Sequence, residues 1–591
     1  MCGIYGVINR KVRREQAMEC LDTMIHRGPD GFGLWQEDGV TLGHRRLAIL
    51  DLSSAGSQPM SYANERYWMT FNGEIYNFIE IREELQHKGY TFRGNSDSEV
   101  IMAAYCEWKE KCVDRFNGMW TFAIWDRQEK SLFLSRDRFG VKPLYYTEFP
   151  DGGFAFASEM KALLPLLEKV EPNKEMFDRY FADNHYESQP ECLIKGIKRF
   201  PAGSYAWIRN GKTEITRFWN TLDHLIEVPD TYEEQVEQFR ELFLDACKIR
   251  MRSDVTLGTG LSGGLDSSAT ICAMSYISRN CADERANKDW QHAYVACFPG
   301  TDLDETKYAK QVTDYLGIRH TFLTIDDAVP EREFLRQLYC FEELWGNPQV
   351  PMMELYKKER ELGTTVSLDG HAADELFAGY GFDVLKAYPD AKGKAEIDQI
   401  TMAYLNQRSE MGYDPSSAEF KRQRNKLYRD YMTKYYAKKL LGRADVSSAY
   451  ADHPNWKKLD NLNKVLFVST HETILPTLLR NYDRDSMASG VEIRMPFLDY
   501  RIVEFAFSIG WKSKLHGGFS KSIVRDACAD FMPHDIAYRR TKLGFNAPIL
   551  DWMRGPYRQF FEDTVADPAF ANCRCRRRKR RSGGNGRYSF W

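Results

Sequence analysis

Cys2 follows Met1 directly, and a small residue in second place permits removal of an initiator methionine. The cysteine would then carry a thiol and a free α-amine on one residue. An α-amine titrates at about 8, so it can take the thiol proton, directly or through water, while the thiolate attacks an amide carbonyl. Alone, a cysteine in this position carries little weight. Its company is "RGPDGFG" (Arg27–Gly33), "GHRRLAILD" (Gly43–Asp51), "FNGEIYN" (Phe71–Asn77) and "SDSEV" (Ser96–Val100). Amide hydrolysis needs donors where the tetrahedral oxyanion forms, and Asn72 with the Gly73 N–H is a pair suited to it.

A second constellation is "VTLGTGLSGGLDSSATICAM" (Val255–Met274), which reads as strand, glycine-rich loop and helix. Gly263 and Gly264 let the backbone approach a ligand, and Ser262, Ser267, Ser268 and the helix N-terminus offer donors to phosphate oxygens. The Gly-Lys-Ser/Thr ending of a P-loop is missing, which disfavours a γ-phosphoryl kinase. A third, "VSLDGHAADELFAGY" (Val366–Tyr380), runs an apolar stretch into Asp369, Gly370 and His371, then Asp374 and Glu375. Its spacing alone admits a metal pair of His371 with Asp374, a solvated helix start, or a working imidazole.

Residues 1–210 alternate short strand patterns such as "RYWMTFNGEIYN" and "SLFLSRDR" with amphipathic stretches such as "FIEIREELQHKGY", predicting a layered α+β domain. A polar, proline-containing linker is expected over 211–230. Over 231–570, the apolar runs "VTLGTGL", "HAYVACF", "TFLTI" and "GTTVSL" alternate with helices, predicting a parallel sheet covered on both faces. Ligands on such sheets bind outside the carboxyl ends of the strands, where the two later constellations fall. Residues 385–465 read as a solvated helical layer, and the basic stretch 571–591 reads as a disordered tail without a role.

With these motifs at hand, the first half resembles the class II glutamine amidotransferases, whose glutaminase domain has an Ntn-hydrolase αββα fold and begins with a catalytic Cys. That resemblance implies Cys2 as nucleophile, Arg46 for the α-carboxylate of glutamine, and Glu74 and Asp97 for its α-amine. Asn72 then also falls in the glutamine site. The Ser-Gly-Gly-Leu-Asp-Ser loop resembles the pyrophosphate loop of the ATP pyrophosphatases, which have an adenine-nucleotide α-hydrolase-like fold. It implies ATP over Leu261, Ser262, Gly263, Gly264, Asp266, Ser267, Ser268, Asp369 and Gly370, with Leu257, Val295 and Phe298 as apolar walls, and Mg²⁺ on Asp266 and Asp374.

"LLRNYDRDSMASGVEIRMPFLD" (Leu478–Asp499) and "YRRTKLGFNAPILDWMR" (Tyr538–Arg554) look like signatures of glutamine-hydrolysing asparagine synthetases. Within the latter, Lys542 matches the lysine that neutralises departing pyrophosphate. The expected activity is glutamine hydrolysis joined to adenylation and amidation of an acceptor carboxylate, L-aspartate by default, with a shielded ammonia passage between the sites. Asparagine synthetases resemble Ser-Gly-Glu-Gly-Ala-Asp-Glu where this chain has Asp369-Gly370-His371-Ala372-Ala373-Asp374-Glu375. The resemblance therefore places His371 toward the acceptor as a candidate base, an imidazole being suited to proton removal near neutrality, and a different acid is a standing alternative. Ring closure within one substrate is a second, argued against by the complete Cys2 set, and a silent scaffold a third, argued against by the intact loop.

The formal net charge of -3 gives no global pull toward nucleic acid or an anionic membrane. Thirteen cysteines without paired spacing read as reduced thiols of a cytoplasmic protein. No apolar run approaches the roughly 20 residues that span a bilayer. Small molecules are the expected partners, and the resemblance adds a homodimer through the glutaminase domain.

Overall fold

The computed structural model describes all residues except 184–186, 188, 282, 284, 326–330, 345–349, 542–547 and 569–591. The first half holds twelve strands: β1 (Gly3–Ile8), β2 (Gly31–Glu37), β3 (Val40–Arg46), β4 (Met60–Tyr62), β5 (Tyr67–Ile75), β6 (Gly118–Asp126), β7 (Ser131–Arg136), β8 (Tyr145–Glu148), β9 (Phe154–Ala157), β10 (Lys198–Arg199), β11 (Ser204–Arg209) and β12 (Lys212–Arg217). They form two six-stranded sheets of order β10-β8-β9-β1-β3-β2 and β12-β11-β7-β6-β5-β4. Pairings within both are antiparallel. The sheets pack on each other through Ile4, Leu42, Ala123, Trp125, Leu134 and Phe156, all essentially inaccessible.

Helices cover the outer faces. Arg14–Asp22 lays Ala17, Cys20 and Leu21 against β1 and β3, and Asp97–Trp108 buries nearly its whole length beside β5. This is the αββα arrangement. The expected linker starts late: Lys212–Arg217 is β12, paired along its length with β11, so residues at the head of 211–230 belong to the second sheet. The chain leaves that sheet after Arg217 and enters the helix Tyr232–Arg250 through a Thr231 cap on the Glu234 N–H.

The second half is built on five strands, β13 (Leu257–Gly260), β14 (His292–Cys297), β15 (Arg319–Thr324), β16 (Val366–Leu368) and β17 (Glu492–Arg494). Their order is β15-β14-β13-β16-β17 and every pairing is parallel. Crossover helices Leu265–Asn280, Thr306–Leu316 and Val350–Glu361 supply the cover that a parallel sheet requires. One apolar core runs from Met69, Phe71 and Tyr76 in the first half to Phe239, Leu368 and Ile493 in the second. The described cysteines are free thiols. Among the described residues no helix is long and apolar enough to cross a membrane. The basic stretch 571–591 lies outside the described residues.

Candidate active sites

The nucleophile end is assembled from neighbouring strands. The Cys2 N–H donates to Asn72 Oδ1 at 2.8 Å, its thiol lies 3.8 Å from the Leu47 carbonyl, and burial pushes that thiol above its ordinary range. Asn72 sits fully buried on β5 with its Nδ2 unpartnered among the described residues. Gly73 has φ +151°, and a Cβ there would meet the Met119 carbonyl at 2.1 Å, so β6 allows no side chain at this position. Asn72 and Gly73 are thus fixed by register, Asn72 opposite Thr121 and Gly73 opposite Trp120.

Arg46, at the end of β3, is anchored by the Ser53 carbonyl at 2.9 Å and the Asp51 carbonyl at 2.5 Å. Glu74 and Asp97 are both buried. Asp97 Oδ2 accepts from the Ile75 N–H at 2.9 Å, yet burial pushes its carboxyl up to about 7. Glu74 is raised by burial and then by Asp97 and Glu492, with Arg494 opposing from 3.5 Å. Two close carboxylates in a dry site are suited to an ammonium guest.

Sequence reading did not single out three further residues here. Arg27 is wholly buried and donates from Nε to the Cys2 carbonyl at 3.1 Å. Glu492 and Arg494 belong to β17 of the other half. Glu492 accepts from Arg494 Nε at 2.7 Å and faces the Met1 ammonium at 3.1 Å. The only sequence hints were their places inside "RGPDGFG" and "VEIRMPFLD".

The second site lies at the carboxyl ends of β13 and β16. Gly263 takes φ +76°, where a Cβ would meet the Ala309 N at 2.5 Å. Ser262 Oγ accepts from the Gly264 N–H at 3.2 Å and lies 3.1 Å from Ser267 Oγ, while Ser268 Oγ is buried and unpartnered among the described residues. Leu261 joins the loop to β14 through the Tyr294 carbonyl at 2.8 Å. Gly370 brings the two turns together, since a Cβ there would strike the Asp266 carbonyl carbon at 2.4 Å.

Not every expected nucleotide contact gathers at this end. Leu257 opens β13, at the far end of the strand from the loop, and is fully buried in the core. Val295 is buried mid-strand on β14. Phe298, just past that strand's carboxyl end, packs with Ile325, Val350 and Trp552. Asp369 has its carboxylate committed inside the protein, accepting from the Gly260 N–H at 3.0 Å, Ser367 Oγ at 2.7 Å and Tyr356 OH at 2.7 Å. Lys542 lies outside the described residues.

Asp266 and Asp374 do converge, and what joins them is Lys521. Its ammonium pairs with Asp374 Oδ1 at 2.5 Å and with Asp266 Oδ2. Burial alone would lower the lysine, but the two carboxylates outweigh it and hold its ammonium above the ordinary range. Asp266 Oδ1 stays buried and, among the described residues, unpartnered. Among the same residues no group of three His, Cys, Asp or Glu side chains could hold a metal. Two hard oxygen donors with an orphaned oxygen suit Mg²⁺, which takes one or two carboxylates and completes its shell with phosphate and water.

His371 completes the end of β16. Its ring stacks on Tyr482 with centroids 3.6 Å apart, and its Nε2 lies 3.5 Å from Asp369 Oδ2 without a hydrogen-bond partner among the described residues. Burial would raise the Asp369 carboxyl, but His371, Tyr356 and Ser367 hold it below its ordinary range. Among the described contacts nothing ties His371 to the paired carboxylates as a metal ligand.

A cysteine at the start of an αββα fold, joined to a glycine-serine loop on a parallel sheet, is the layout of a glutamine-dependent amidotransferase of the asparagine synthetase type. The comparisons agree. Residues 1–219 match the glutamine amidotransferase domain family and residues 238–582 the asparagine synthase family. The chain belongs to the asparagine synthase family, ligases that form carbon–nitrogen bonds. It is 30% identical over 588 residues to asparagine synthetase [glutamine-hydrolyzing] 1 of Bacillus subtilis, covering 96% of this chain and 90% of the relative. Asparagine synthetase [glutamine-hydrolyzing] 3 of the same organism is 32% identical over 569 residues, covering 91% and 86%. Asparagine synthetase B [glutamine-hydrolyzing] of Escherichia coli is 28% identical over 555 residues, covering 91% and 81%.

Proposed function

We propose that the chain hydrolyses L-glutamine at Cys2 and uses the ammonia to amidate a carboxylate activated as its adenylate, with L-aspartate as the default acceptor. The observation that carries this reading is Asn72, whose Oδ1 holds the Cys2 N–H while its Nδ2 stays free among the described residues. With Met1 removed, the Cys2 α-amine takes the thiol proton and the thiolate attacks the glutamine amide; the C–N bond breaks as ammonia leaves with that proton, and water then hydrolyses the γ-glutamyl thioester to glutamate and the free thiol. Asn72 Nδ2 and the Gly73 N–H receive the oxyanion. Arg46 takes the α-carboxylate, and Glu74 with Asp97 the α-ammonium.

At the second site the Ser262–Ser268 loop receives the phosphates of ATP. Mg²⁺, held by Asp266 and Asp374, would neutralise phosphate charge as the acceptor carboxylate displaces pyrophosphate. Lys521 sits between those carboxylates and turns to the departing pyrophosphate, a role it would share with Lys542. Ammonia then attacks the acyl-adenylate, and His371 removes the surplus proton from the adduct. Glutamate, AMP, pyrophosphate and the amide leave.

A second reading, amidation of another acid, is favoured by the imidazole–phenol stack at His371, where the asparagine synthetase pattern has a glutamate. The test is a screen of carboxylic acids for glutamine-dependent AMP production with aspartate as reference. Turnover of aspartate well above every other acid supports the first reading. A different acid in that place gives the second.

A further inference from the structure

The two sites are physically joined through one helix, Ile474–Met487. Resting on the reading above, we propose that Asp483 of this helix is a positioning residue that couples glutamine hydrolysis to the synthetase site, acting through Arg27 on the Cys2 backbone and through its neighbour Tyr482 on His371.

Arg27 ends the first-half contact. Its Nη1 and Nη2 donate to the two Asp483 oxygens at 2.7 and 2.9 Å, and its Nε to the Cys2 carbonyl at 3.1 Å. Both partners are buried, with Arg27 at 0% and Asp483 at 4% exposure. A planar guanidinium held by three acceptors has no freedom to slide, so the Cys2 carbonyl is located relative to the helix. Burial would raise Asp483, but Arg27 outweighs it and keeps the carboxylate ionised.

The helix is in turn held against both halves. Arg484 pairs with Glu159 of the first half at 2.7 Å and with Glu342 of the second at 2.6 Å. Glu159 also takes Arg27 at 3.0 Å, His26 at 3.1 Å and Lys161 at 2.5 Å. Arg480, one turn earlier, meets Glu343 at 3.6 Å and Glu187. Tyr482 adjoins Asp483 in sequence and leaves the helix in another direction, to lie flat on the His371 ring. A shift of the helix that admits acceptor beside His371 therefore moves Asp483, and with it Arg27 and the Cys2 carbonyl.

A pair that merely glued the halves would give a different result from one that couples them. The full chain and Asp483→Asn are compared with glutamine, ATP, Mg²⁺ and the acid that yields most AMP in the screen, reading glutamate and AMP together. Ammonium replaces glutamine in a parallel reaction, and the thermal midpoint is recorded. The expected result is that glutamate released per AMP rises about threefold to tenfold, with ammonium-dependent AMP within about twofold of wild type and partial recovery in Asp483→Glu. An unmoved ratio, or glutaminase and ammonium-dependent activity falling in equal proportion with the midpoint, overturns the proposal. Should Asp483→Asn not fold, wild-type glutaminase with and without ATP and the acid decides: equal rates overturn it and a rise supports it. A wild type that forms no glutamate or no AMP removes the underlying reading instead, whereas one competent in both with an unmoved ratio removes only this inference.

Discussion

The two sites obtain their rigidity in different ways. At the Cys2 end the working groups lie on or beside adjacent antiparallel strands, and Asn72 and Gly73 are placed by the register of β5 on β6. At the adenylation end they lie on turns after parallel strands, and a lysine remote in sequence gathers the two carboxylates. Strand register tolerates little error, because a shift of one residue turns every side chain to the other face. Turns outside a parallel sheet can be exchanged without disturbing the core, so a residue such as His371 can vary while the glycine-serine loop stays.

The sharpest way to break this comparison is to silence one end alone. Cys2→Ala is expected to abolish glutamine-dependent AMP formation, a fall of about a thousandfold or more, and to leave ammonium-dependent AMP formation near wild type. Loss of both would mean that the ends are not separable. Lys521→Gln is the reciprocal cut. It removes the ammonium that pairs with Asp266 and Asp374 and would turn to the departing pyrophosphate, so ATP–pyrophosphate exchange should fall on the order of a hundredfold while glutaminase persists. Exchange at the wild-type rate would remove Lys521 from the adenylation chemistry.

His371→Ala sharpens the comparison inside the second site. General bases contribute about a hundredfold or more, and ammonia that arrives unprotonated needs less help. Amide formation is therefore expected to drop at least about tenfold, with ATP–pyrophosphate exchange retained. If both persist at the original rate, the base role is wrong and the stack on Tyr482 is only packing.

Contiguous motifs make much of both sites legible in the sequence. "FNGEIYN" and "LSGGLDSS" each carry a strand and the adjoining functional groups within a few residues, so pattern and chemistry agree. The bounds of the linker are less legible than its existence: "SYAWIRNGKTEITRFW" reads as strand, turn and strand, yet the polar edge strand β12, paired to β11, lies inside the expected 211–230. Lys521 is invisible for another reason. It caps a helix with φ +54°, and nothing in "GGFSKSIVRD" tells that its side chain crosses to Asp266. The structural part of Asp369 is likewise not legible: its carboxylate fastens β16 to β13 through the Gly260 N–H.

The smallest expected effect concerns glutamine affinity and pH. Asp97 is pushed up to about 7 by burial, and Glu74 is raised beside it. An ammonium guest binds the ionised form, so protonation competes with glutamine. KM for glutamine should be flat above that titration and rise as pH falls through it, by at most about tenfold per unit. The fold responds with the opposite sign to glutamine binding. A carboxyl raised in the native state binds more protons there than in the unfolded chain, so the stability it contributes is full below the ordinary carboxylate range and is lost as pH climbs through the native value. Asp97→Asn keeps an acceptor for the Ile75 N–H and removes the charge. It should flatten both profiles while KM stays high at every pH. A KM profile in the wild type that is level across that range would detach the carboxylates from glutamine binding and leave the amine site to be found elsewhere around Cys2.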